Sequence, residues 1–141
     1  MQAARDFFAL PAAVKQRVDS ALSPHVRGWS QLGAERTVGV TDVREVWEMG
    51  PDARALTEPG QPAFMRMQGP NLWPAAPRRF RPAVGWLFES MGGVCTELMQ
   101  AVALGLGQPD DYFETAGYFA DRDTAMKLKA CSYPTALLTR A

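Results

Sequence analysis

The side chains that most often bind metals or act as nucleophiles are scarce in this chain. Its 141 residues include one histidine, His25, and two cysteines, Cys95 and Cys131. A transition-metal site needs several such ligands, and His25 has no second histidine and no nearby cysteine. We therefore interpret His25 as a capping or surface residue. Two distant cysteines are typical of free thiols in a reducing compartment, which predicts a cytoplasmic protein.

Carboxylates are more abundant and cluster in one stretch. Glu35, Asp42, Glu45 and Glu48 lie within fourteen residues of one another. Such a cluster could supply a general acid and a general base. The alternatives are a solvated face, or ion pairs with Arg36 and Arg44. The sequence contains neither a glycine-rich phosphate loop nor a set of serine, histidine and aspartate for nucleophilic catalysis.

Composition narrows the class of protein. Hydrophobic residues make up 47% of the chain and the formal net charge is zero, which fits one soluble globular domain. Because the basic residues are scattered, the sequence predicts neither a nucleic-acid surface nor an anionic-membrane surface. No uninterrupted apolar stretch approaches the length of a membrane span, and Arg5 and Asp6 interrupt the apolar run that a secretion signal would need.

The dominant element is a long helix, predicted from Arg79 to Leu106. Its apolar residues recur on one side at helical spacing, which predicts a core-facing stripe; the stripe comprises Phe80, Val84, Leu87, Phe88, Met91, Val94, Cys95, Leu98, Met99, Val102 and Leu106. Pro82 suits the first turn, and Gly105 and Gly107 favour an end. The pair Gly92–Gly93 is either a weak spot or a point where another backbone approaches closely.

The segments before this helix are shorter. Pro11 is expected to start a helix with Val14, Val18 and Leu22 on its inner face and Lys15 on its outer face. Residues 24–48 favour short extended pieces broken by glycines. Residues 49–78 hold six of the eleven prolines and form a loop region that apolar side chains pin down.

After the long helix, residues 109–115 predict a short helix and residues 126–133 predict a strand. The strand alternates in polarity and is ended by Pro134. No turn signal or partner strand follows it in the sequence. We therefore expect an unpaired strand that invites self-association through residues 126–133 and leaves the chain marginally stable.

Seven blocks of the sequence together resemble a known family. They are DFFALPAAVKQ, SPHVRGWS, GAERTVGVTDVREVWEMG, GPNLWP, FRPAV, LMQAVALGLGQPDDYF and MKLKACSYP, from about Asp6 to Pro134. Their order and spacing closely resemble the N-terminal region of the isopenicillin N synthase-like dioxygenases, which depend on Fe(II) and 2-oxoglutarate. The resemblance implies an α+β, helix-rich fold, with a long brace helix over about residues 80–105 and a few short strands.

The same resemblance shows what is missing. Members of this family hold iron with a His-x-Asp pair and a distant histidine on a double-stranded β-helix barrel, and anchor 2-oxoglutarate with an Arg-x-Ser segment. One histidine cannot provide that set, so we expect no cofactor bound by this chain and no catalytic barrel. Residues 1–134 would form the non-haem dioxygenase N-terminal domain without its first strand, and residues 135–141 a tail where the barrel would continue.

Three residues acquire candidate roles from the resemblance. Tyr133 matches a tyrosine that reaches 2-oxoglutarate or substrate in some members. Arg27 lies where an arginine contacts a substrate carboxylate in isopenicillin N synthase, although its Arg-Gly-Trp spacing is one residue shorter. Trp29 would form a pocket wall. The alternatives are a tyrosine packed on a strand, a surface or salt-bridged arginine, and a core tryptophan.

These features favour a non-catalytic N-terminal part of an oxygenase that oxidises a small organic substrate. Whether the chain itself counts as an oxidoreductase is left open, because the iron ligands are absent from it. The alternative function is a helical interaction module that docks on a separately encoded catalytic barrel. An unrelated small helical domain is the third hypothesis.

Overall fold

The computed structural model of the protein describes residues 1–55, 63–117 and 126–134. The tail 135–141 and residues 56–62 of the proline-rich loop lie outside the described residues. Five strands and four α-helices are present within the described ranges. None of these helices is both long and apolar enough to span a bilayer.

The long helix is present as predicted and forms α3, Phe80–Gly105. Its first turns enter the core, where Phe80 and Val84 are buried and Phe88 packs against the same cluster. The helix continues without a break through Gly92 and Gly93. Among described residues, a Cβ on Gly92 would meet only the Met126 methyl, at 3.2 Å, and one on Gly93 would meet nothing. The glycine pair is therefore a weak spot, and no backbone in the described part of the chain approaches it.

The prediction that the whole apolar side of α3 is buried is wrong for most of the helix. Met91 is 47% exposed and Leu98 is 60% exposed, and Leu87, Val94 and Val102 are exposed as well. Cys95, predicted to be a buried thiol, is also exposed. The physical reason is length: the core cluster contacts only the first turns of α3, and the later turns extend past it. Their apolar side is therefore uncovered in the described part of the chain.

The N-terminal helical region differs from its prediction in two side chains. It consists of α1, Gln2–Phe8, and α2, Ala12–Lys15, followed by 3₁₀ turns at Gln16–Val18 and Ser20–Leu22. Because the α-helix ends at Lys15, the regular four-residue spacing is lost beyond it. Lys15, predicted to face outward, is buried, and Leu22, predicted to face inward, is 64% exposed.

The strands form two sheets. In the larger one, β4 (Glu45–Met49) lies between β1 (Gly28–Ser30) and β5 (Leu128–Ser132), and both pairings are antiparallel. The smaller sheet is a hairpin of β2, Arg36–Thr37, and β3, Val40–Thr41. The prediction of an unpaired strand at 126–133 is wrong, because β5 pairs with β4. The partner strand, β4, lies far earlier in the sequence, so the residues that follow β5 could not reveal it.

Aromatic side chains build the core between this sheet and the helices. Phe80 lies 4.8 Å from both Phe7 and Trp47, measured between ring centroids, and all three are fully buried. Trp29 and Met49 from the sheet and Val18 from the N-terminal region complete the cluster. The short helix α4, Tyr112–Thr115, follows α3 as predicted.

The prediction that apolar side chains pin the 49–78 loop is confirmed only in part: Leu72 and Trp73 pack against the core cluster, Phe64 and Met67 are exposed, and hydrogen bonds hold the rest of the described loop. Asn71 is buried and exchanges two hydrogen bonds with Gly50: its amide nitrogen donates to the Gly50 carbonyl, and its amide oxygen accepts from the Gly50 N–H. The Trp47 indole donates to the Leu72 carbonyl at 3.2 Å, and the Trp73 indole donates to Asp52 at 3.0 Å. These bonds tie the loop to the end of β4.

The β2–β3 hairpin contains a substitution site with a clear expected gain. Its two loop residues, Val38 and Gly39, have φ of 50° and 81°, and Val38 is 97% exposed. Left-handed backbone is costly for a β-branched residue, whereas Asn-Gly is favoured in such turns. We expect Val38→Asn to stabilise the protein by about 1 kcal/mol, measured by urea unfolding. Val40→Asn, on the strand, is the control; equal gains from both variants would contradict the turn argument.

Candidate functional site

The β4–β5 pair has one face in the core cluster; on its other face Val46 and Glu48 of β4 are also buried, whereas Lys129 and Cys131 of β5 are exposed. Trp47 and Met49 point into the core, so alternation places Arg44, Val46 and Glu48 on the other side. The register sets Glu48 opposite Lys129 and Val46 opposite Cys131, and cross-strand neighbours share a face. This outer side, which we call the charged face, comprises Arg44, Glu48, Lys127, Lys129 and Tyr133 together with Glu35 and Asp42 of the hairpin region.

Ion pairs run across the charged face. Lys129 Nζ lies 2.5 Å from Glu48 Oε1 and 3.1 Å from Glu35 Oε1. Arg44 Nη2 lies 2.7 Å from Glu35 Oε2 and 3.0 Å from Asp42 Oδ2. The Nζ of Lys127 lies 3.5 Å from Glu48 Oε2. These bridges join the hairpin region to both long strands, so the charged face is one connected network.

Each carboxylate of the predicted cluster has a cation partner, so the ion-pair interpretation is confirmed for the pairing with Arg44. The acid–base alternative gains no support from the structure, because the four carboxylates are divided between two faces. Glu45 points to the core side, where Lys15 Nζ lies 2.6 Å from its Oε2. The lysine partners Lys15 and Lys129 were not found from the sequence, since neither is near its carboxylate along the chain.

Hydrogen bonds shift the pKa values of Glu35 and Lys129 in this network. Burial alone would raise the pKa of the Glu35 carboxyl, but hydrogen bonds from Lys129 and Arg44 lower it below its usual value. The bond to Glu48 raises the pKa of the Lys129 ammonium. A carboxyl whose pKa is lowered by folding stabilises the folded state above its unfolded pKa, and that contribution is lost as the pH falls through the folded value. The network is therefore held best near neutral pH.

Tyr133 lies at the end of the charged face and is 58% exposed. Its hydroxyl accepts from Arg44 Nη1 at 3.5 Å, and that bond is the leading reason that the pKa of Arg44 is raised. Tyr133 directly follows the last residue of β5, and more than half of it is exposed. The phenol could thus contact a ligand or another protein surface without rearrangement of the described residues.

Arg27 is buried rather than exposed on the surface. Its Nη1 donates to the His25 and Val26 carbonyls at 3.0 and 3.3 Å, and its Nη2 donates to the Met67 carbonyl at 3.0 Å. Its Nε is buried without a partner. Burial lowers the pKa of the guanidinium, and the charge of Glu48 opposes that shift. Arginine stays charged in proteins under these conditions.

Trp29 lies in the core cluster and is 3% exposed. Its indole Nε1 donates to Glu45 Oε2 at 2.9 Å, and Lys15 Nζ lies 5.2 Å from its ring centroid. Trp29, Lys15 and Glu45 thus form one buried polar unit under the sheet. The core alternative for this tryptophan is the one that the structure supports.

His25 is half-buried, and its Nδ1 lies 2.6 Å from the Arg66 carbonyl oxygen. Among residues 1–55, 63–117 and 126–134, no three histidine, cysteine or carboxylate side chains are grouped to hold a metal ion. The described residues therefore do not fit an Fe(II) site. The structure places His25 in a loop contact instead.

A cleft of about 950 Å³ opens between the start of α3 and residues 49–54. Its walls include Met49, Asp52, Trp73, Arg81, Trp86 and Glu89. That size suits a small molecule, but one lining carboxylate is already engaged: Asp52 accepts from the Trp73 indole at 3.0 Å and from Arg81 at 3.3 Å. This cleft could not be predicted from the sequence, because its walls come from three separate segments.

Comparisons with known proteins agree on one family. The family described as non-haem dioxygenase in morphine synthesis, N-terminal, matches residues 1–76. A homoarginine-6-hydroxylase from Oryza sativa subsp. japonica is 31% identical over 115 residues, which are 79% of this chain and 34% of that protein. Isopenicillin N synthase from Streptomyces clavuligerus is 36% identical over 66 residues, which are 45% of this chain and 20% of that protein.

Solved structures give the same result. A 2OG-Fe(II) oxygenase family protein from Caulobacter crescentus superposes with a TM-score of 0.70 at 30% identity, covering 94% of this chain and 41% of that one. The chain thus spans about a third of the first of these relatives and about two fifths of this structure. The full-length proteins of the family use Fe(II) and 2-oxoglutarate, and the resemblance seen in the sequence is confirmed. On these grounds the chain belongs to the non-haem dioxygenase N-terminal family, the N-terminal region of 2-oxoglutarate- and Fe(II)-dependent oxygenases.

Proposed function

We propose that this chain is the non-catalytic N-terminal part of an oxygenase that oxidises a small organic substrate, and that α3 is the brace on which a catalytic barrel packs. The observation that carries the proposal is the exposed part of the apolar stripe, which we call the α3 stripe: Leu87, Met91, Val94, Cys95, Leu98 and Val102. A contiguous apolar surface on one side of a helix marks an interface. Its register continues that of the buried residues Phe80 and Val84.

In this proposal the barrel supplies the cofactor site. Iron in such oxygenases is bound by two histidines and a carboxylate, and this chain contains one histidine. We therefore expect the isolated chain to be catalytically inactive. The α3 stripe and the charged face would be its contributions to the whole enzyme, one as a support and one near the substrate. The cytoplasmic location stays a prediction.

Tyr133 is the residue that we propose contacts substrate or 2-oxoglutarate in the whole enzyme. Support comes from the exposure of Tyr133 and from its position directly after β5. The predicted substrate contacts of Arg27 and Trp29 stay predictions; in this structure both side chains are engaged within the protein. Self-association through residues 126–133 also stays a prediction, with β5 offering the edge that β4 does not occupy.

The proposal that the α3 stripe binds the barrel can be tested with a matched pair of leucines. Leu98 and Leu104 are similarly exposed, at 60% and 62%, but their side chains are about 120° apart around α3, and only Leu98 belongs to the stripe. We expect a separately expressed barrel from the Caulobacter crescentus oxygenase to bind the wild-type chain and the Leu104→Lys variant. Leu98→Lys should weaken binding at least tenfold, because burying a leucine contributes roughly 1.5–3 kcal/mol. Calorimetry measures the affinities.

Alkylation of Cys95 gives a second readout in a Cys131→Ser background. Cys95 lies on the α3 stripe and is exposed, so a docked barrel should slow its reaction with iodoacetamide about tenfold. The proposal fails if the wild-type chain does not bind the barrel, or if Leu98→Lys and Leu104→Lys weaken binding equally. Unchanged far-UV circular dichroism of both variants would show that the comparison reports docking rather than folding.

A further inference from the structure

Two side chains that precede β1 reach across the molecule to consecutive carbonyls of another segment. His25 Nδ1 lies 2.6 Å from the Arg66 carbonyl oxygen, and Arg27 Nη2 donates to the Met67 carbonyl at 3.0 Å. The contacts span about forty residues of sequence. The acceptors lie in the 3₁₀ turn Ala63–Met67. The turn is therefore held at two adjacent points.

The residue between these two side chains is strained. Val26 has a φ of 56°, in the left-handed region that β-branched residues rarely adopt. Strain of this kind persists only where the surroundings over-determine it, and it often marks a functional constraint. The surroundings here are the hydrogen bonds made by the two neighbours of Val26. Arg27 Nη1 also donates to the His25 and Val26 carbonyls, which fixes the backbone on both sides of the peptide.

Two glycines leave room for the same two side chains. A Cβ on Gly50 would lie 2.7 Å from Arg27 Cζ, and a Cβ on Gly69 would overlap the His25 ring. Neither glycine has a positive φ. Glycine is therefore needed at these positions because there is no room for a Cβ, and not because of the backbone conformation. Any side chain at these positions would displace the guanidinium or the imidazole.

We propose that His25 and Arg27 form a two-point latch that positions residues 63–69. The latched turn presents Phe64, 70% exposed, and Met67, 42% exposed, at the surface. The latch fixes these two side chains before any other surface packs against them. Arg27 acts in this role as a positioning residue, because its terminal nitrogens donate to backbone carbonyls. The inference is independent of docking by α3 and of any oxygenase activity.

Limited trypsin digestion tests the latch, since the Arg66–Met67 bond follows a basic residue and its carbonyl is one of the latched atoms. Cleavage there needs the turn to open. We expect Arg27→Gln and Gly50→Ala to accelerate cleavage at Arg66 at least tenfold relative to cleavage at Arg36, followed by mass spectrometry. Gly93→Ala is the matched control, because a Cβ there meets no described atom, and it should leave the rate unchanged.

Amide exchange supplies a reading that separates local opening from global unfolding. The Gln68 N–H donates to the Met65 carbonyl at 2.9 Å within the turn. In Gly69→Ala, whose added Cβ would overlap the His25 ring, we expect this amide to exchange about tenfold faster while amides of β4 keep their protection. The proposal is overturned if Arg27→Gln is cleaved at Arg66 at the wild-type rate. It is also overturned if β4 and the turn lose protection in parallel in both Arg27→Gln and Gly69→Ala.

Discussion

Trp47→Ala is expected to lower the free energy of unfolding by about 3–5 kcal/mol. The Trp47 ring is fully buried and lies 4.8 Å from Phe80 and 5.2 Å from Trp73, between ring centroids. Its indole also donates to the Leu72 carbonyl at 3.2 Å. Removal therefore leaves a cavity and an unpaired carbonyl at the centre of the core. A domain of this size has only about 5–15 kcal/mol to lose.

Urea unfolding followed by far-UV circular dichroism measures this loss. The matched control is Trp86→Ala, because Trp86 is 69% exposed on α3 and surface substitutions usually change stability by less than about 0.5 kcal/mol. Equal losses from the two variants would show that the core is not centred on Trp47. Trp47→Phe should recover part of the loss by keeping a ring next to Phe80.

Lys15→Met is expected to destabilise the protein by about 3–5 kcal/mol through loss of a buried ion pair. Lys15 Nζ lies 2.6 Å from Glu45 Oε2, and the two side chains are only 8% and 13% exposed. The ammonium also donates to the Phe8 carbonyl at 2.9 Å. Removing it leaves the Glu45 carboxylate buried, with the Trp29 indole, at 2.9 Å, as its remaining donor among the described residues.

A double-mutant cycle separates the lost pair from the charge left behind. Glu45→Gln removes the charge but keeps an acceptor for Trp29, so Lys15→Met with Glu45→Gln should be more stable than Lys15→Met alone. Lys127→Met is the control, since Lys127 is exposed and 3.5 Å from its partner, and such pairs contribute about 0–1 kcal/mol. If the double variant is the least stable of the series, the buried charge is not the cause.

The sequence predicted elements better than it predicted what they touch. The bounds of α3 followed from helical periodicity, Pro82 and Gly105, all of which act locally. Periodicity defines an apolar side but not the length of the surface that covers it, so the exposure of Met91 and Leu98 could not be foreseen. The same limit applies to Lys15, whose burial depends on Glu45 thirty residues away.

In the candidate site, too, the sequence identified the residues but not the partners that they contact. Tyr133 and Arg27 could be named because they fall in blocks that resemble a family, and the carboxylate cluster could be read as ion pairs. The partners could not be named, because Lys129 reaches Glu35 across 94 residues and Arg27 reaches Met67 across 40. Gly50 and Gly69 carry no local signal for close approach, since their φ values are ordinary.

The order of strands in the larger sheet has a consequence for biosynthesis. Glu48 and Lys127, which bridge β4 and β5, are separated by 79 residues. At a synthesis rate of roughly 5–20 residues per second, β4 waits about 4–16 seconds before β5 emerges to pair with it. During that interval the nascent chain presents an open β4 edge, and long-range strand pairing is intrinsically slow. The α3 helix, made of local contacts, can form within that wait, so vectorial folding would build α3 before the sheet is complete.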